Sequence, residues 1–168
     1  MPLVRLLLVG LIASAAVLAE TSLADAMEIR QVVPSLIALA ALAWQLACPG
    51  PYTFLAAGAI ALVGDLFAPG RVGLGAASML LVAYAAGRLQ QRLRIDHFVL
   101  QVPIVLVGTA AWVLSTGLLR WLSGDASISP LVLLRQAPAV AAYTAAVALP
   151  VLMVVGWMRE AAANKLAG

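Results

Sequence analysis

Apolar runs of sixteen or more residues alternate with short polar intervals along the whole chain. Leu3–Leu18 is apolar apart from Arg5, and predicts a first helix spanning 3–19. Its tail, LIASAAVLAE, also has the small-residue pattern of a signal peptide cleaved after Ala19. The run exceeds the ~7–15 residues of a signal core and falls below the ~20 of a span. A retained first helix is the expectation, because nothing downstream reads as a secreted domain. Glu20–Gln31 is a polar, net acidic interval. A second span is expected over 32–47, with Pro34 in its first turn, where a missing N–H costs little. Trp44 suits an interface level, and Gln45 needs a hydrogen-bond partner or the headgroups. Cys48-Pro49-Gly50-Pro51 cannot continue a helix, so the next span, 52–68, is an antiparallel neighbour.

Ala57, Ala61 and Gly64 recur on one helical face of that third span, and small faces let helices approach closely in lipid. Ala68-Pro69-Gly70-Arg71 turns the chain into a fourth span over 72–89, which carries Gly73, Gly75 and Tyr84. In Gly87–Phe98 a helix places Arg88 and Arg92 on one stripe and Leu89 and Leu93 on another. With Arg94 they form a basic surface, read either as a positive-inside loop or as an amphipathic docking segment. A fifth span covers 98–122, with Pro103 and Gly108. Leu131–Met158 carries the sixth, its core at 136–158, with Arg135 and Pro138 at its start and a kink at Pro150. Arg159–Gly168 reads as a short polar tail.

Composition strengthens this picture. The 168 residues are 64% hydrophobic and 10% charged, where soluble domains carry about 25%. The fold class expected is therefore all-α: a single polytopic membrane domain with about six spans. The net charge of +3 reports orientation rather than nucleic-acid binding. Arg5, Arg88, Arg92, Arg94, Arg159 and Lys165 fall on one side and Arg30, Arg71, Arg120 and Arg135 on the other, a modest bias of six against four. The second side also collects Glu20, Asp25, Glu28, Asp65 and Asp125. Both termini are thus placed in the cytoplasm.

Candidate chemistry is sparse. Cys48 and His97 are each the single residue of their type, so neither a disulfide nor a zinc centre of the usual kind is expected. There is no P-loop, and GRVGLG at 70–75 is flanked by apolar helices, so packing explains it better than phosphate binding. Neither a cofactor nor a catalytic constellation is expected. Asp65 is the ionisable group nearest the interior of a span. It has functional readings, as a cation ligand, a proton relay or a partner contact. Its structural readings are a headgroup-level position, a pair with Arg71, or a cap on the helix that follows.

At Gly58–Tyr84 the chain resembles the MreD family of rod shape-determining proteins. The resemblance rests on a glycine-bearing span leading into Asp65-Leu66, a Pro-Gly bend with Gly70 and then Gly73, and an apolar helix reaching Tyr84. It departs at Pro69, where the family more often has glycine, which shifts the bend by one residue. The resemblance implies a non-enzymatic inner-membrane component of the bacterial cell-elongation machinery. It would bind the single-span protein MreC and connect through it to MreB filaments, RodA and its penicillin-binding protein. A homo-oligomer is left open. Gly64, Asp65, Gly70, Gly73, Gly75 and Tyr84 become candidates for partner packing. The family is similar in fold to the substrate-binding components of energy-coupling-factor vitamin transporters, which supplies the alternative of a small-molecule uptake component.

Overall fold

The computed structural model describes residues 2–27, 33–48, 50, 52–68, 72–93, 98–124 and 130–167. These form six α-helices with no strand among the described residues: α1 Pro2–Met27, α2 Leu36–Ala47, α3 Thr53–Phe67, α4 Leu74–Leu93, α5 Phe98–Leu122 and α6 Pro130–Ala167. Short connections fold successive helices back on each other. α2 lies at the centre and touches every other helix, and α5 and α6 share the most extensive interface.

Several boundaries differ from those expected. α1 continues through Met27, so Glu20 and Asp25 belong to a helix rather than to a loop. α2 begins at Leu36, not at residue 32. Pro34 therefore precedes the helix instead of occupying its first turn. Its ring restricts the residue before it, and Ser35 takes the N-cap position, its Oγ accepting from Ala38 N at 3.3 Å. α6 runs from Pro130 to Ala167 through both Pro138 and Pro150, so the expected polar tail is helical except for Gly168, which lies outside the described residues. The bounds of α5 match the expected 98–122, and α3 falls one residue inside 52–68 at each end.

Among the described residues, two helical stretches are long and apolar enough to cross a membrane, Leu100–Leu122 and Leu131–Val154. Val9–Ser22, Leu36–Ala47 and Thr53–Phe67 are apolar but shorter. At 1.5 Å per residue, the 12 residues of α2 extend about 18 Å, less than the ~30 Å of a hydrocarbon core.

The interior is built from small side chains. Ala38, Ala41, Ala57, Ala61, Ala83, Ala141 and Ala148 are buried around Leu42, Leu46, Ile60 and Met79. Many large apolar groups also face outward: Leu11, Leu18, Leu62, Leu66, Leu81, Val107, Leu118, Leu131, Leu134 and Met153 are all exposed. That is more apolar bulk than a protein in water ordinarily leaves on its surface. It suits close helix approach in a medium as apolar as leucine itself.

Candidate functional site

The α3–α4 junction is organised by Asp65. Gly73 takes the N-cap position of α4, because Ala77 N donates to Gly73 O at 2.9 Å, yet it has no side chain to offer the first N–H groups. The carboxylate of Asp65 arrives from the preceding helix and supplies what Gly73 lacks. Its Oδ2 accepts from Gly73 N and from Ala76 N, each at 3.0 Å. A negative charge at the positive end of a helix is favourable in its own right. Of the readings open for Asp65, the cap is realised; the pairing with Arg71 involves a residue outside the described ones.

The glycines around it follow. Gly73 adopts φ +97°, a left-handed conformation that disfavours side chains. Gly75 is buried, and a Cβ there would run into Asp65 Oδ1, with Cγ at 3.0 Å and Oδ2 at 3.1 Å. Trp112 of α5 closes the other side, its indole N–H donating to Gly75 O at 3.0 Å. Gly64 is also buried, and the space a side chain would need is taken by Ile37 of α2, 2.6 Å from the ideal Cβ position. The faces proposed for a partner at Gly64 and Gly75 are thus filled by this chain's own helices. Close approach between α2, α3 and α4 requires it, since each of the three packs directly on the other two. Gly70 and Arg94 lie outside the described residues.

A second carboxylate does the same work for α2. Glu20 Oε2 accepts from Ile37 N at 2.9 Å, next to the Ser35–Ala38 cap bond. Ser35 N in turn donates to Thr144 Oγ1 of α6 at 3.0 Å. The amino ends of α2 and α4 therefore lie at one end of the bundle, each with an acidic group from a neighbouring helix. The last turn of α5 brings Arg120 to the same end, the complementary charge for a helix carboxyl terminus. Between them is a cavity of about 240 Å³ whose wall includes Glu20, Asp65, Trp112, Thr116, Arg120 and Leu133. Thr116 Oγ1 and Arg120 Nε are buried there without a hydrogen-bond partner. Sequence reading missed Glu20 and Arg120. Spacing along the chain does not show which helix ends meet, although acid near a helix start and base in a last turn were visible signals.

The opposite end is basic and aromatic. Tyr84 is exposed and meets Phe54 edge to face at 5.7 Å between centroids, and Arg88 Cζ lies 6.0 Å from its ring centre. Arg88 and Arg92 are exposed, so the two arginines do form an open cationic face. Gln90 beside them is buried and donates from Nε2 to Leu46 O at 3.0 Å. Gln45 is buried as well, packed with its Nε2 against Gly87, and its Oε1 has no partner. The partner expected for that oxygen is absent among the described residues.

Between the two ends, α4 and α5 diverge to leave a groove of about 740 Å³. Leu81, Val82, Leu89, Ile104, Val107 and Leu118 line it, and its polar side chains are Ser78 and Ser115. Ser78 Oγ donates to Leu74 O at 2.9 Å and Ser115 Oγ to Trp112 O at 3.1 Å, so both hydroxyls are satisfied within their own helices. The groove offers apolar surface and shape, with no group placed for acid–base or nucleophilic chemistry. No group of three or more potential metal-ligating side chains occurs among the described residues. Compared with protein-family models, curated proteins and solved structures, the chain matches none.

Proposed function

We propose that this chain is a non-enzymatic membrane scaffold of the cell-elongation machinery, as its resemblance to the MreD family implies. In this reading six helices form one multi-pass domain with both termini cytoplasmic, and the chain receives the transmembrane helix of an MreC-like partner. The observation that carries the reading is the groove between α4 and α5. It is long, open along its side, and lined by leucine, isoleucine, valine and alanine, with both serine hydroxyls already satisfied. A partner helix gains there by close packing, which is what drives helix association in lipid. Small residues of the groove wall, Ala85, Ala86, Gly108 and Ala111, allow that approach. The exposed Arg88 and Arg92 continue from its edge and suit an anionic cytoplasmic leaflet. A vitamin-type carrier needs a roomy pocket with several convergent polar groups. The groove is roomy but has no free polar group, and the polar cavity is about a third its size.

The test is recovery of partners from native membranes in mild detergent with a C-terminal tag, identified by mass spectrometry. An MreC-like single-span protein together with cell-wall synthases is the expected result. Val107→Trp and Leu81→Trp, which fill the groove from its two walls, are expected to abolish that recovery while leaving thermal unfolding unchanged. An ATPase pair with a coupling membrane subunit in place of MreC would replace this reading with the transporter one.

A further inference from the structure

The cavity at the acidic end of the bundle has more polar equipment than helix capping uses. Glu20 and Asp65 each commit one oxygen, Oε2 and Oδ2, to backbone N–H groups. The Leu36 N–H also approaches the Glu20 carboxylate, while Asp65 Oδ1 receives no hydrogen bond from the described residues. On the opposite wall, Trp112, Thr116 and Arg120 lie four residues apart, so one face of α5 carries all three. The indole N–H of Trp112 is committed to Gly75 O, which fixes its ring in the wall. Thr116 Oγ1 and Arg120 Nε have no partner, although two carboxylates line the same space. A buried donor left without an acceptor is costly, and a guanidinium more so. The cavity thus has spare acceptors of negative charge on one wall and spare donors, one of them cationic, on the other. At about 240 Å³ it holds roughly eight water volumes, enough for a small organic molecule.

We propose that this cavity binds a small zwitterion, with its anionic group against Arg120 and Thr116 and its primary ammonium against Glu20 and Asp65. A simple anion would meet two carboxylates, and a simple cation would meet the guanidinium. A molecule carrying both charges a few bonds apart satisfies each wall. Ile37, Ala61, Val113 and Leu133 complete the wall with apolar surface that strengthens both ion contacts by excluding water. Two sources present this chemistry: a free amino-acid-like solute and the headgroup of an aminophospholipid. The inference is independent of the groove and of any partner in it.

The experiment uses the full chain with Trp112 as its only indole, Trp44, Trp121 and Trp157 being replaced by phenylalanine. Fluorescence is titrated in detergent with O-phosphoethanolamine, glycine, inorganic phosphate and ethylamine. In parallel, the protein is reconstituted in nanodiscs of phosphatidylethanolamine or phosphatidylglycerol, and retained lipid is read by native mass spectrometry. Saturable binding of O-phosphoethanolamine or glycine, at least tenfold tighter than phosphate or ethylamine, supports a soluble zwitterion. Selective retention of phosphatidylethanolamine supports the headgroup. Either response is expected to fall at least tenfold in Glu20→Gln, which keeps an acceptor for Ile37 N, and in Arg120→Gln. Thr116→Val, which keeps the side-chain shape, is expected to weaken binding severalfold and serves if Arg120→Gln does not fold. Equal response to phosphate and phosphoethanolamine, binding unchanged in Glu20→Gln and Thr116→Val, or no ligand or lipid preference in either arm would overturn the proposal.

Discussion

Replacing Gly75 by alanine should either harm or help this protein, depending on what stands at position 65. In the native chain the added Cβ meets Asp65 Oδ1, Cγ and Oδ2 as its three nearest atoms. The carboxylate cannot withdraw freely, because Oδ2 holds Gly73 N and Ala76 N at 3.0 Å. Alanine must therefore displace the cap, and overpacking of this kind costs about 1–3 kcal/mol. Removing the carboxylate alone, Asp65→Ala, strands two N–H groups at the start of α4, that of Ala76 buried and that of Gly73 partly so. Loss of a cap costs about 1–2 kcal/mol and a stranded donor about 1–3 kcal/mol, so a total of about 2–5 kcal/mol is expected. Asp65→Asn keeps an acceptor oxygen and loses the charge, so it should cost about half as much. In the Asp65→Ala background the obstruction is gone. Gly75→Ala should then stabilise by up to about 1 kcal/mol, the ordinary gain of alanine over glycine within a helix. The double-mutant cycle predicts a coupling of at least 1 kcal/mol and a reversal of sign. Reversible unfolding of the four proteins in detergent, followed by circular dichroism, measures it. A Gly75→Ala effect of the same sign and size in both backgrounds would refute the contact that links these residues.

Gly73→Ala is expected to destabilise by about 1–2 kcal/mol although nothing lies within 4 Å of the added methyl, because φ there is +97°. Gly10→Ala, also in open space but within α1, should be neutral or stabilising in the same unfolding assay. Trp112→Phe removes the donor to Gly75 O and should cost about 1 kcal/mol, read as a lower unfolding free energy by circular dichroism. Glu20→Ala should fray the first turn of α2, read as faster hydrogen exchange at Ile37 N, whereas Glu20→Gln should leave that exchange nearly unchanged.

The sequence shows each helix more clearly than it shows which helices meet. Phe98–Leu122 was readable to the residue because a predominantly apolar run lies between polar flanks. For Asp65 the cap was one of several readings the sequence left open, and only the fold shows its Oδ2 meeting the start of α4. The length of α1 was not, since Glu20 and Asp25 look like the end of an apolar run. Glu20 remains in the helix because it meets an amino terminus sixteen residues or more further on. The glycines of α3 and α4 were recognised as close-approach positions, but not what approaches them. Gly64 faces Ile37 and Gly75 faces Asp65, pairings set by how three helices pack and not by any local period. The groove likewise needs two helices, α4 and α5, whose divergence has no signature in either alone.

The bond from Ser35 N to Thr144 Oγ1 spans 109 residues and lies in the buried interior. Its consequence is one of timing. A chain emerging from the ribosome presents its N-terminal portions first, so α2 forms long before residue 144 exists. Until α6 docks, the amide of Ser35 must be served by a temporary acceptor. Five helices alone can therefore collapse but leave the Ser35 amide without its final acceptor, which only the sixth supplies.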